Sequence, residues 1–353
     1  MNKIPGPYIN PKIRKIGLTL TSLASGGAEK QCLLLASMLQ NYYEVLVIVV
    51  DDKPKHKIHL SFISDHKLKV IFLKGMIPKK ITQLRRLVKR EGIDLILSYL
   101  PKDIILTSLA VGSKVSFHVG GIRNARMNIF KRNILKEVHN RKLVASISNC
   151  HSGKDFFSRN GFESSKITVI PNGIKIDTTP IQRADNGKIT ITSLGRLVDQ
   201  KDYLTAIRSI GHLLKLVAEK DLQVQYRIVG DGPDRVKIQQ QINRLGLSPY
   251  ITIHTEVTEI PEILKGSDIY LCTSLYEGVS NAIMEAMVHS LPIVATDAGD
   301  NSILVRNNIN GYVLRQRDEI GIGNALERLI HSSTLRRRMG AASFEHISSE
   351  FNL

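Results

Sequence analysis

Short β-branched runs alternate with longer helical patterns along this chain, and that alternation restricts it to an α/β protein with parallel sheets. In the first half IRKIGLTL reads as a strand, SLASGGAEKQ as a turn opening the helix KQCLLLASMLQ, and EVLVIVV as the next strand. KVIFL, IDLILSYL, VSFHVGGI and KLVASIS continue the series. The second half repeats the grammar with strand KITITSLGRL, helix YLTAIRSIGHLLKLVAEK, strand VQYRIVGDG and helix PDRVKIQQQINRLG, then ITIHT, a short PEILKG helix, IYLCTS and PIVAT. Between the halves, PNGIKIDTTPIQRADNGK is rich in turn formers and poor in apolar side chains, as a linker is. The expected architecture is a loose tail over 1–12, a domain over 13–175, a linker over 176–187 and a second domain over 188–353. Two similar doubly wound domains would turn their strand C-termini, where ligands bind, toward a shared cleft.

Composition narrows the classes. With 42% hydrophobic and 23% charged residues the 353-residue chain is globular, and no apolar run reaches the roughly 18 to 20 residues that cross a bilayer. The start, MNKIPGPYINPKIRK, lacks the apolar core of a secretory signal. Cys32, Cys150 and Cys272 are scattered and form neither a disulfide framework nor a CxxC metal site, which suits a reducing cytoplasm. The net charge of +17 is one-sided: residues 1–185 hold 31 Lys and Arg against 13 Asp and Glu, and residues 186–353 hold 18 against 19. The first half therefore faces an anion, whether phospholipid headgroups, a pyrophosphate-linked substrate or nucleic acid, unless the bias is general to the proteome.

Four stretches carry candidate chemistry. SGGAEKQ (25–31) sits between strand and helix, where Gly26 and Gly27 let backbone amides approach an anion; the plain alternative is a turn, since neither GxGxxG nor a P-loop is present. SLGRLVDQKDY (193–203) presents Arg196 and Lys201 from a strand-end loop, a fork and a point charge suited to a diphosphate without a metal ion; the plain alternative, the better one for an isolated pair, is two solvated surface charges. In RIVGDGPDR (227–235), Gly230 and Gly232 free the backbone for a bend that either borders a nucleotide or turns a corner, with the helix starting at Asp231 or Pro233. SLYEGVSNAIMEAM (274–287) combines a predicted helix over about 281–289, capped by Ser280 or Asn281, with two carboxylates at its ends. The helix N-terminus favours a phosphate, Glu277 precedes it, and Glu285 lies one turn inside among Ala282, Ile283, Ala286 and Met287. A carboxylate so surrounded needs partners, and ribose hydroxyls suit; the plain alternative, a helix-end charge at Glu277 and a solvated Glu285, sits poorly with that packed face.

Together these stretches resemble the retaining glycosyltransferases of family four, which have the GT-B architecture of two Rossmann-like domains. The resemblance is strongest in SLGR…K, IVGDGP, the Glu-x7-Glu of SLYEGVSNAIMEAM, LPIVATDAGDN and NGYVL; SGGAEKQ, KLVASISN with Ser148 and Asn149, and PNGI match its first-half motifs. It implies that Arg196 and Lys201 hold the donor diphosphate, Glu277 the donor sugar, Glu285 the ribose, and Ser280 and Asn281 the phosphates. It further implies that Gly26 and Gly27 let a first-domain loop close on the donor. No cofactor or metal is implied, the donor being a UDP- or GDP-linked sugar. The family often carries a His at the end of a first-domain strand, for which His118 and, equally, Arg123 are candidates. Two departures are Ser290 where the family has a glycine before LP, and SSEFNL where it continues into a helix crossing back to the first domain.

TQLRRLVKREG (82–92) and RNARMNIFKRNILKEVHNRK (123–142) concentrate the basic charge on helical patterns, the second placing Ile129, Phe130, Ile134, Leu135 and Val138 among cations. Such helices suit an anionic membrane surface or, equally, a core helix with a solvated face. With the resemblance, the expectation is a cytoplasmic enzyme peripheral to the inner membrane face, acting on a lipid-linked glycan of O-antigen, capsule or exopolysaccharide. A nucleotide-sugar epimerase of the same architecture is the competing enzyme. Nucleic-acid binding rests on charge alone, in a chain with 5% aromatic residues and no recognition module.

Overall fold

The β-branched runs fold into the strands of two separate parallel sheets. The computed structural model describes residues 10–353 apart from 25, 54, 113, 114, 116, 123–126, 184–186, 219–221, 256 and 258. The chain divides into two units between Ile170 and Pro171.

Unit 1 runs β1 (Lys15–Leu20), α1 (Gly27–Leu39), β2 (Glu44–Val49), α2 (Lys57–Asp65), β3 (Val70–Phe72), α3 (Ile77–Glu91), β4 (Leu95–Ser98), α4 (Pro101–Val111), β5 (Phe117–Ile122), α5 (Ile129–Lys142), β6 (Ala145–Ser148), α6 (His151–Arg159) and β7 (Ile167–Val169). Its strand order is β3-β2-β1-β4-β5-β6-β7. Val47, Ile48 and Val49 are all fully buried, because helices cover both faces of a parallel sheet and remove the in/out alternation. The same burial hides the period of α4, whose Ile104, Leu106, Thr107, Ser108, Ala110 and Val111 are buried. That helix therefore escapes a reading based on amphipathic spacing; α2 and α6 escape it for the opposite reason, since they bury only His59 and only Gly153 and Phe157.

Unit 2 runs β8 (Lys188–Leu194), α7 (Tyr203–Leu216), β9 (Gln223–Val229), α8 (Arg235–Arg244), β10 (Ile251–His254), α9 (Ile260–Lys265), β11 (Ile269–Cys272), α10 (Asn281–Val288), β12 (Ile293–Thr296), α11 (Asn301–Leu304), β13 (Gly311–Leu314), α12 (Glu319–His331) and α13 (Ser333–Glu350). The order is β10-β9-β8-β11-β12-β13. In both sheets the strand order reverses beside the first strand, between β1 and β4 and between β8 and β11. A crevice opens at such a switch point, at the C-terminal ends of the two strands.

Three sequence expectations change. Helix α8 starts at Arg235 rather than at Asp231 or Pro233, because Asp231 and Asp234 are tied to Leu197 by backbone hydrogen bonds of 3.0 and 2.9 Å. Helix α5 starts at Ile129 with Asn128 as its cap; residues 123–126, including Arg123, lie outside the described residues. Its apolar set is not one buried face: Leu135 is buried, whereas Ile129 and Phe130 are 66% and 74% exposed. Finally, the stretch read as a linker is held to unit 2. Asn172 and Ile174 hydrogen-bond within unit 2. The Ile181 amide donates to Ser290 Oγ (3.0 Å), and the Arg183 guanidinium donates to the carbonyls of Leu264, Ser267, His289 and Ser290.

Candidate functional site

The switch point of the second sheet gathers most of the predicted residues. Strand β8 ends at Leu194, and Gly195 and Arg196 follow; β11 ends at Cys272, and the loop through Glu277 leads into α10. Gly195 and Gly230, at the ends of neighbouring strands, pack backbone on backbone, with a Cβ on Gly230 falling 2.0 Å from the Gly195 carbonyl oxygen. Gly230 thus has a sufficient reason in packing, the corner-turning alternative left open by the sequence.

Two loops at this edge are zipped together. The Leu275 amide donates to the Gln200 carbonyl (2.8 Å), Gln200 Nε2 donates to the Tyr276 carbonyl (2.8 Å), and Thr273 Oγ1 donates to the Lys201 carbonyl (2.9 Å). Asp202 sits in the left-handed region (φ 46°), tolerable for Asp, and caps α7 by accepting from the Thr205 amide and hydroxyl. This arrangement delivers Lys201 Nζ to within 2.5 Å of Glu277 Oε1, which also accepts from Ser274 Oγ at 2.7 Å. The side chains are 18% and 11% exposed. Burial works against the Lys201 ammonium, but the facing Glu277 carboxylate outweighs it and holds the pKa above the ordinary lysine range. The resemblance assigns these two residues to different parts of a ligand; the structure also pairs them with each other. Arg196 is exposed at the same edge, and its guanidinium has no hydrogen bond or ion pair to another described residue.

Helix α10 begins as predicted. Ser280 is its N-cap, its Oγ accepting from the Ile283 amide, and Asn281 is the first helical residue. The Asn281 Oδ1 accepts from Asn172 Nδ2 at 2.9 Å. Glu285 is half-buried one turn in, and its carbonyl lies 2.8 Å from His289 Nδ1. The Glu277–Gly278 backbone is backed by Gly299 (φ 61°): a Cβ there would lie 2.2 Å from the Glu277 carbonyl oxygen, and the Asp300 amide donates to the Gly278 carbonyl. Gly299 and Asn172 lie in LPIVATDAGDN and PNGI without a sequence-assigned role of their own. A glycine between Ala298 and Asp300 was the available signal; for Asn172 there was none, since its partner lies 109 residues away.

Unit 1 treats its candidates differently. Gly26 is the N-cap of α1 with extended backbone, and Glu29 folds back over it, so a Cβ on Gly26 would lie 2.2 Å from Glu29 Oε2. The first turn therefore already carries a negative charge, and this geometry adds nothing to the expectation of an anion there. His118 is the second residue of β5, not at its C-terminal end, and is 6% exposed. Its Nε2 lies 3.0 Å from Ser98 Oγ and its Nδ1 3.4 Å from Ser108 Oγ. As a candidate at the strand end it is corrected: it is an interior histidine satisfied by serines. Burial pushes its pKa down to about 4. Because that value is depressed relative to the unfolded chain, the stability tied to neutral His118 is present above pH 6.5 and is lost as pH falls toward 4. Unfolding free energy measured in urea is expected to drop by about 2 kcal/mol from this group between pH 7.5 and pH 5. His118→Gln is expected to remove that drop; an unchanged acid dependence would contradict the assignment.

Among the described residues no group of His, Cys, Asp and Glu is arranged to hold a metal ion. A groove of about 350 Å³ in unit 2, lined by Ile181, Arg183, Pro292 and Arg336 among others, lies at the opposite edge of the sheet, where β12 begins rather than ends.

A doubly wound sheet with cations and a helix N-terminus at its switch point is an arrangement suited to phosphorylated ligands, and similarity to known proteins gives the class. The family "Glycosyl transferases group 1" matches residues 175–346 and "Glycosyltransferase Family 4" matches residues 25–178. The chain belongs to the glycosyltransferases that join these two domains, and is an enzyme of that family. It is similar to UDP-Gal:α-D-GlcNAc-diphosphoundecaprenol α-1,3-galactosyltransferase of Escherichia coli, with 26% identity over 73% of this chain and 71% of that one. It is also similar to an N-acetylgalactosamine-N,N'-diacetylbacillosaminyl-diphospho-undecaprenol 4-α-N-acetylgalactosaminyltransferase of Campylobacter jejuni, with 22% identity over 92% of each chain. Among solved structures, that of Anabaena HepE in complex with UDP-glucose shares the fold, with a TM-score of 0.83 at 20% identity over 96% of this chain and 95% of that one.

Proposed function

We propose that this chain is a retaining, metal-independent hexosyltransferase that moves a sugar from a UDP- or GDP-linked donor to a lipid-linked or growing glycan, in the assembly of bacterial surface polysaccharide. The observation that carries the reading is the Lys201–Glu277 pair at the β8/β11 switch point, beside exposed Arg196 and the N-terminus of α10. Arg196 and Lys201 supply the positive charge that a leaving nucleoside diphosphate needs, the α10 amides a cradle for its phosphates, and Glu277 and Glu285 acceptors for sugar and ribose hydroxyls. Glu277 is already engaged by Lys201 and Ser274, which blunts it as a nucleophile. Same-face substitution follows: the bond from C1 to the β-phosphate oxygen breaks, the acceptor oxygen bonds to C1 on the same face, and its proton passes to the departing phosphate.

Two relatives are named for diphosphoundecaprenol-linked acceptors, which supports an acceptor of that class. No described helix is long and apolar enough to cross a membrane. Peripheral contact on the cytoplasmic face is supported by the basic first half and by two exposed apolar pairs. Met76 and Ile77 (81% and 55% exposed) open α3, and Ile129 and Phe130 open α5; lysines 79 and 131 stand beside them. Helices α3 and α5 both pack on α4, and both begin at the C-terminal edge of the first sheet.

Calorimetric titration with UDP-, GDP-, dTDP- and CMP-sugars tests the donor site. One UDP- or GDP-sugar is expected to bind to the parent and not to Arg196→Ala; no binding, or donor isomerisation in place of transfer, would remove the reading. Sedimentation with anionic rather than neutral vesicles at low salt checks the membrane part separately, and equal partitioning into both would refute it.

A further inference from the structure

We infer that Asn172 is a positioning residue for the donor, acting on the N-terminus of α10 from the segment that follows unit 1; the inference rests on the donor reading above. Asn172 is 5% exposed. Its Nδ2 donates both to Asn281 Oδ1 (2.9 Å) and to the Val279 carbonyl (3.3 Å), the residues on either side of the N-cap Ser280. One amide group thus clamps the bend by which the chain enters α10. The clamp fixes two things at once: the direction of the first helical amides, and the rotation of the Asn281 carboxamide, whose oxygen is turned to Asn172.

The segment bearing Asn172 is itself held on its other side. The Ile174 amide donates to the Phe351 carbonyl (2.9 Å), the Leu353 amide donates to the Ile174 carbonyl (3.3 Å), and Ile174 and Asn352 form a parallel bridge. Asn172 is therefore presented from a strap fixed at Ile174, not from a free loop. A donor amide so placed leaves its mark on the ligand through the geometry of Asn281 and the α10 amides, and touches no reacting atom itself.

The test is calorimetric affinity for UDP and GDP of the parent, Asn172→Ala, Asn172→Asp, Asn281→Ala and the Asn172→Ala/Asn281→Ala double variant. Denaturant unfolding of each variant, run beside the titration, fixes the folded fraction, so a loss of affinity beyond that fraction reports the site rather than global stability. Asn172→Ala is expected to weaken the bound nucleotide about tenfold, the scale of one lost charge-neutral clamp. Asn172→Asp, which keeps the volume but sets oxygen against oxygen, is expected to weaken it at least as much. The double variant is expected to bind no worse than the weaker single variant, because both changes break one unit. In transfer assays the donor KM rises and kcat is retained. Parent-like affinity in both Asn172 variants, or strictly additive losses, would overturn the role of Asn172 while leaving the donor site standing. A parent that binds neither nucleotide overturns the donor reading and this inference together.

Discussion

Glu277→Gln is expected to lower the rate of sugar transfer by about two to three orders of magnitude, the range found when one group that stabilises a transition state is lost. The substitution keeps shape and one acceptor but removes the charge that Lys201 faces at 2.5 Å. Lys201→Ala is expected to lower transfer comparably and, in addition, to destabilise the protein by about 3 kcal/mol, because a largely buried carboxylate is left with only Ser274. The asymmetry between the two is the informative part. A single-turnover assay should show the Glu277→Ala/Lys201→Ala double variant little slower than the worse single variant, since the pair acts as a unit. Transfer at the parent rate in Glu277→Gln would place the chemistry elsewhere.

Arg183→Ala is expected to cost about 3 kcal/mol of unfolding free energy, the loss of several hydrogen bonds from a charged donor to the backbone carbonyls of Leu264, Ser267, His289 and Ser290. Two of those carbonyls, Leu264 and His289, lie at the C-terminal ends of α9 and α10, where a cation also suits the helix dipole. The guanidinium is desolvated enough that its pKa is lowered to about 10, partly opposed by the nearby Asp268 carboxylate, so it stays charged at neutral pH. For a unit of this size the loss amounts to about 6 to 12 °C in melting temperature, readable by calorimetry. Arg183→Lys keeps the charge without the fork and should recover only part of it; full recovery would mean that charge, not geometry, holds the linker.

The fold was legible because parallel strands buried on both faces leave continuous runs such as EVLVIVV, and because helices with one wet face leave their period. Helix α4 was not, since burial of most of its surface, with Leu109 the apolar residue left exposed, erased the period. In the site, Arg196, Lys201, Ser280, Asn281 and the two glutamates stood out because charged and capping residues follow strands in both stretches. Their mutual contacts did not stand out: Lys201 and Glu277 are 76 residues apart and meet only because β8 and β11 are neighbours. His118 misled for the converse reason. A histidine in a strand looks the same in sequence whether it points at a ligand or at Ser98 and Ser108. Ser290, noted as a departure, occupies φ 53°, the left-handed region that explains a glycine there; here the strain is accompanied by the hydrogen bond from Ile181.

The hydrogen bonds that tie residues 200–202 to residues 273–276 also set the size of the smallest exchangeable part of this enzyme. A chimera that takes one of these loops from a relative inherits one side of a hydrogen-bonded unit whose other side, with either Lys201 or Glu277, stays behind. Grafts that carry both loops, with Gly299 behind them, move the hydrogen-bonded unit whole, so on the proposed donor site the unit of redesign is the three-loop cassette rather than the single residue.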